Sequence, residues 1–142
     1  MSIPTLPDFI VIDDDTINNM ICHRIIQLTI PGASVQTFLN PEKGLEYLRS
    51  NYSAPDANKA MLFLDINMPL LTGWEVLDII RTFPRDVTDR IKIYMLSSSV
   101  NPQEKEKADN NPLVSGYITK SLSQEKMRMI YAAYTAADGV SV

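Results

Sequence analysis

The chain has 142 residues, 45% hydrophobic and 21% charged, with a net charge of −4. This balance fits one globular domain with a real core and excludes a disordered chain. No Lys/Arg-rich segment offers a footprint for nucleic acid, and no run approaches the ~20 apolar residues that span a bilayer.

Residues 1–7 lack the basic and apolar regions of a signal peptide, and the lone Cys22 permits no intrachain disulfide, so a reducing cytoplasm is the expected location. A first strand is expected at 9–12, an apolar run that ends in Asp13-Asp14-Asp15. The following helix carries Ile17, Ile21, Ile25 and Leu28 as its apolar stripe. A second strand at 34–38 leads to Asn40-Pro41, an N-cap with Pro at the first helical position, and then to a helix with Leu45, Leu48 and Tyr52 on one face. The third strand, 61–64, is continuously apolar, as suits the middle of a parallel sheet, and it delivers Asp65. Met-Pro69 stops the extended run, and Gly73 permits an unusual backbone angle before a helix with Val76, Leu77, Ile80 and Phe83. The fourth strand, 91–96, ends at Ser97-Ser98. Asn101-Pro102 opens the fourth helix, with Glu104 placed to complete a capping box. That helix, 102–110, has Ala108 as its only apolar residue besides Pro102, so it gains little from packing. A fifth strand at 115–119 delivers Lys120, and Met127, Ile130, Tyr131 and Tyr134 mark the last helix.

Five β/α units with short connections predict an α/β fold, a parallel sheet with helices on both faces. No repeat, low-complexity segment or linker divides the chain, so a single domain over 1–142 is expected, with its core at about 8–134.

The polar residues that end these strands form a chemical set. Asp13, Asp14, Asp65, Ser97 and Lys120 all stand at C-terminal strand ends, where open α/β sheets place their ligand sites. Carboxylates are hard oxygen ligands that suit Mg²⁺. Asp65 can act as a nucleophile toward a phosphoryl group, Ser97 can donate a hydrogen bond to its oxygens, and Lys120 can neutralise its charge.

Ile12-Asp13-Asp14-Asp15, Leu64-Asp65-Ile-Asn-Met-Pro69 with Gly73, Met95-Leu-Ser97-Ser98 and Gly116-Tyr117-Ile-Thr-Lys120 together resemble a response-regulator receiver domain. The resemblance covers nearly the whole chain. It implies a flavodoxin-like five-stranded sheet of order 2-1-3-4-5. It makes Asp65 the phosphoacceptor, and Asp13, Asp14, Asp65 and the backbone carbonyl of Asn67 the Mg²⁺ ligands, with Asp14 the more direct of the acidic pair. Ser97 takes the place of the switch hydroxyl, Lys120 that of the family lysine, and Tyr117 that of the aromatic that moves inward when the hydroxyl engages the phosphoryl group. One departure stands out: Lys120 is followed by Ser121, where the family has a cis-bonded Pro. The loop is then either trans with a shifted Lys120 or cis before a non-proline residue, and Ser121 is a candidate cap for the last helix, given Gln124 three residues on.

Simpler roles compete for some of these residues. Asp15 or Asp14 can cap the first helix, Tyr117 can be packing, and His23 beside Cys22 reads as surface or packing, since adjacent helix residues face different directions. Two rival functions stay open. In a phosphorylation-independent pseudo-receiver the fold serves as a binding module only. In a haloacid-dehalogenase-like phosphatase Asp13 is the nucleophile, Asp15 its partner acid, and Ser97 and Lys120 the next motifs.

The resemblance further implies a phosphoacceptor rather than an enzyme proper, charged by a sensor histidine kinase or a histidine phosphotransfer protein. Output passes to a downstream protein, with neither nucleic acid nor membrane as partner, from a monomer or a phosphorylation-linked dimer. The eight residues 135–142 are too few for a further module, so a stand-alone receiver without an output domain is expected.

Overall fold

Five apolar stretches become five parallel strands in the computed structural model, which describes residues 6–99 and 101–137. Residues 1–5 and 138–142, parts of the two end segments read above, lie outside the described residues. The elements run β1 (Asp8–Ile12), α1 (Thr16–Thr29), β2 (Val35–Phe38), α2 (Pro41–Asn51), β3 (Ala60–Asp65), α3 (Gly73–Ile80), α4 (Arg85–Thr88), β4 (Ile91–Ser97), α5 (Pro102–Asp109), β5 (Val114–Thr119) and α6 (Gln124–Ala137). The sheet order is β2-β1-β3-β4-β5 with every pair parallel, as the resemblance implied. Because β1 lies between β2 and β3, the winding reverses there, and the crevice at the carboxyl ends of β1 and β3 is the natural ligand position. Among the described residues, no helix is long and apolar enough to cross a membrane.

Alternation along the strands divides the core between the two faces. Ile10, Ile12, Leu62 and Leu64 pack with Leu48, Val76, Leu77 and Ile80 on one side. Phe9, Val11, Met61 and Phe63 pack with Cys22, Ile26, Met127 and Tyr134 on the other. All six residues of β3 are buried, as a central strand requires. Each such large apolar side chain contributes roughly 1.5–3 kcal/mol on burial.

The structure corrects four local expectations. The buried face of α1 is Asn18, Asn19, Cys22 and Ile26, whereas Ile17 and Leu28 are 68% and 50% exposed. The asparagines turn inward because Asp13 gives them buried hydrogen-bond partners. A one-turn helix, α4, precedes β4, so the weakly packed helix expected fourth is the fifth, α5. Gly73 has no positive φ; it is needed because a Cβ there would lie 2.6 Å from the Asp65 carbonyl oxygen and 2.9 Å from Met95 Cε. Finally, α6 is capped by Ser123 and not Ser121: the Ser123 hydroxyl accepts from Lys126 N at 3.1 Å.

Candidate functional site

Parallel pairing of β1 with β3 sets Ile12 beside Leu64, so the next residues, Asp13 and Asp65, emerge side by side from the sheet. Pairing of β4 with β5 sets Ser97 beside Thr119, and Lys120 N donates to Ser97 O at 2.7 Å, which brings the lysine to the same rim. Oxygen atoms of Asp13, Asp14 and Asp65 lie within 4.8 Å of one another. Lys120 Nζ reaches Asp13 Oδ2 at 2.8 Å and Asp65 Oδ1 at 3.1 Å.

The three acids sit in different surroundings. Asp13 is wholly buried; its Oδ1 accepts from Asp15 N at 2.9 Å, and its Oδ2 from Asn18 Nδ2 at 2.6 Å as well as from Lys120. Asp14 is exposed and faces solvent at the mouth. Asp65 is buried, at 4% exposure. Burial first, and then the negative charge of Asp13, push the Asp65 carboxyl up to about 7, against the opposing pull of Lys120. For Lys120, burial acts downward, but hydrogen bonds to Asp13 and Asp65 and their charges outweigh it and hold the ammonium above the usual lysine range. Asp15 caps α1, accepting from Ile17 N and Asn18 N. The peptide between Lys120 and Ser121 is cis. Lys126 Nζ donates to the carbonyls of Thr119 at 2.7 Å and Ser121 at 3.1 Å, bracing this loop from α6.

Ser97 and Tyr117 belong to an adjoining network. The Ser97 hydroxyl is hydrogen-bonded to Glu104 Oε1 and accepts from Ser99 N at 3.0 Å. Tyr117 Oη lies 2.7 Å from the same Glu104 oxygen and 3.0 Å from the Ser99 carbonyl. Tyr117 is thus already turned toward the loop after β4. Partial burial and the Glu104 charge raise its phenol above the ordinary value, with Ser97 opposing.

Of the residues expected to share a site, Asp13, Asp14, Asp65 and Lys120 converge directly. Asn67 is exposed on the turn that follows β3. Ser97 and Tyr117 meet through Glu104, not through each other alone. Sequence reasoning missed Asn18, Asn19, Glu104 and Lys126. Asn18 and Asn19 follow the Asp15 cap by three and four residues, the one signal that placed them near Asp13. Glu104 stood out only as a cap, yet Asn101 N donates to Ser99 Oγ and the Glu104 carboxylate turns inward. His23 is half-buried beside Thr16, Asn19 and Met20, and Cys22 is buried, its thiol pushed up to about 12 by burial and then by Asp13. Neither takes part in a metal-ligand group among the described residues.

Comparison with known proteins agrees with this fold. No curated protein matches the chain. A response regulator receiver protein from Dyadobacter fermentans is similar in structure, with a TM-score of 0.82 at 26% identity over 91% of this chain and 98% of its own. A two-component response regulator from Cytophaga hutchinsonii is equally similar, with a TM-score of 0.82 at 26% identity, covering 92% and 97%. A receiver domain protein from Clostridium thermocellum, at 19% identity and a TM-score of 0.74 over 96% of this chain and all of its own, shares the fold. The family model for the response regulator receiver domain matches residues 9–132, from β1 into α6, and the chain therefore belongs to that family, whose members serve two-component signalling.

Proposed function

We propose that Asp65 is the phosphoacceptor of a two-component phosphorelay and that Ser97, Tyr117 and Lys120 convert its charge into altered partner binding. The observation that carries this reading is the single lysine clasping two strand-end acids, Asp13 and Asp65, with Asp14 open to solvent beside them.

Three crowded carboxylates with hard oxygen donors fit a Mg²⁺ ion better than a softer metal. Asp14 and Asp65 would hold it directly, with the Asn67 carbonyl completing the protein ligands; Asp13, already saturated by three donors, would act mainly by its charge. When bound, the ion relieves the repulsion among the acids and neutralises charge on an incoming phosphoryl group. The chain's own residues do the rest. An Asp65 oxygen attacks phosphorus, the P–N bond of a phosphohistidine breaks, and the imidazole leaves with the bonding pair and recovers a proton. Lys120 balances the charge of the acyl phosphate, and Ser97 donates its proton to a phosphoryl oxygen. The donor is a sensor histidine kinase or a histidine phosphotransfer protein, and the surface that responds is that of α5, β5 and α6, which a downstream protein reads.

Asp13 is poorly suited to be a phosphatase nucleophile, since both its oxygens are already engaged. Incubation with acetyl phosphate and Mg²⁺, followed by intact-mass analysis, tests the assignment: wild type gains one phosphoryl group and Asp65→Asn gains none. Labelling of Asp65→Asn at the wild-type rate would refute it.

A further inference from the structure

Glu104 lies on the first turn of α5 and receives both switch hydroxyls on one oxygen. Ser97 has a single proton to donate, and that proton is directed at Glu104, while its oxygen accepts from Ser99 N. A carboxylate acceptor forms a charge-assisted bond, roughly twice as strong as a neutral one. Helix α5 lies close along β5 but buries little side chain: Ala108 is its only buried residue, and Lys107 sits over the Trp74 ring at 4.6 Å. The Glu104 carboxylate therefore does two things at once. It occupies the hydroxyl that a phosphorylated Asp65 would need, and it ties α5 to β4 through Ser97 and to β5 through Tyr117.

We propose that Glu104 is the positioning residue of the switch: it captures the Ser97 hydroxyl in the resting state, and an acyl phosphate on Asp65 works by winning that hydroxyl from it. This inference rests on the reading of Asp65 as phosphoacceptor. Only one acceptor can hold the proton, so the strength of the Ser97–Glu104 bond is subtracted from the affinity of any phosphoryl-like group. Once Ser97 turns to the phosphoryl oxygens, Glu104 keeps Tyr117 alone, and α5 loses its side-chain hydrogen bond to β4. The device lets a local charge at the carboxyl end of β3 move a helix that buries little apolar side chain.

Beryllofluoride with Mg²⁺, a stable phosphoryl mimic, tests the proposal by amide-shift titration of the full chain. Glu104→Gln keeps the side-chain size but offers only a neutral acceptor. It is expected to bind beryllofluoride roughly tenfold more tightly than wild type, about 1.4 kcal/mol. Glu104→Asp keeps the charge but shortens the arm, and it is expected to shift affinity in the same direction. In a Ser97→Ala background, Glu104→Gln is expected to leave beryllofluoride affinity unchanged, because no Ser97 hydroxyl remains to be released. Unchanged affinity in Glu104→Gln alone would overturn the proposal. So would an equal gain with and without Ser97, which would trace the effect to the lost charge itself. If wild type binds no beryllofluoride, the phosphoacceptor reading fails first, and the capture of Ser97 falls with it.

Discussion

A buried carboxylate beside a second buried carboxylate is costly unless a cation balances the pair, and Lys120 alone does not fully do so at Asp65. Its carboxyl is raised to about 7 by burial and by Asp13. At Asp65 the native state of the metal-free protein therefore binds more protons than the unfolded chain between about pH 4 and 7, since an unfolded Asp titrates at ~3.9. The stabilisation present at low pH is lost as pH rises through that window, by on the order of 2 kcal/mol after allowance for solvent screening. Urea unfolding in EDTA should show this decline, Asp65→Asn should abolish it, and saturating Mg²⁺ should flatten it, because bound metal favours the ionised acids. Lys120 works in another range: its stabilisation is complete at neutral pH and is lost only as pH climbs through its raised folded value. Asn18 offers a second test at this scale. Its 2.6 Å bond to the buried Asp13 holds a carboxylate oxygen that, among the described residues, Lys120 also engages. Asn18→Ala should destabilise the metal-free protein by ~1–3 kcal/mol in urea melts.

The elements show which features a linear reading can reach. Strand β3 was plain because an unbroken apolar run before an Asp has few other interpretations, and every one of its residues is indeed buried. The inward face of α1 was misread because its polar residues are buried by specific partners: the Asn18 and Asn19 amide nitrogens donate to Asp13, and hydropathy cannot anticipate such a buried contact. Glu104 had the spacing of a cap, but its carboxylate is taken by Ser97 and Tyr117, seven and thirteen residues away, a contact made only once β4, α5 and β5 assemble. The four residues of α4 are too few for helical periodicity to register. Gly73 was singled out correctly for the wrong reason, since close approach and not φ demands it. Gly73→Ala should thus cost on the order of 1–3 kcal/mol and shift the Asp65 amide, because the added methyl meets backbone that cannot swing aside. An unperturbed melting midpoint would remove Gly73 from the architecture of the site.

At the scale of the molecule, the two faces of the sheet are anchored unequally, and this gives the proposed switch a direction. On the α1 and α6 face, Cys22, Ile26, Met127 and Tyr134 pack directly on Phe9, Phe63 and Leu96. On the opposite face α2 and α3 bury several large residues each, while α5 contributes Ala108 alone. Strand β4, buried along nearly its whole length, transmits little motion of its own, so a change at its carboxyl end should emerge where resistance is least. Amide-shift mapping with Mg²⁺ and beryllofluoride should therefore find its large effects at Asp14, Asp65 and Ser97 and along residues 102–117. The second half of α1 and all of α2 should stay close to their resting positions. Ser97→Ala should keep the shifts at Asp14 and Asp65, which need only the acids and Lys120, yet lose those along residues 102–117, because Glu104 then holds Tyr117 alone before and after and has no Ser97 hydroxyl to surrender. Shifts spread evenly over both faces, or an undiminished response of α5 in Ser97→Ala, would mean that the charge on Asp65 reaches the surface by a route other than this hydroxyl.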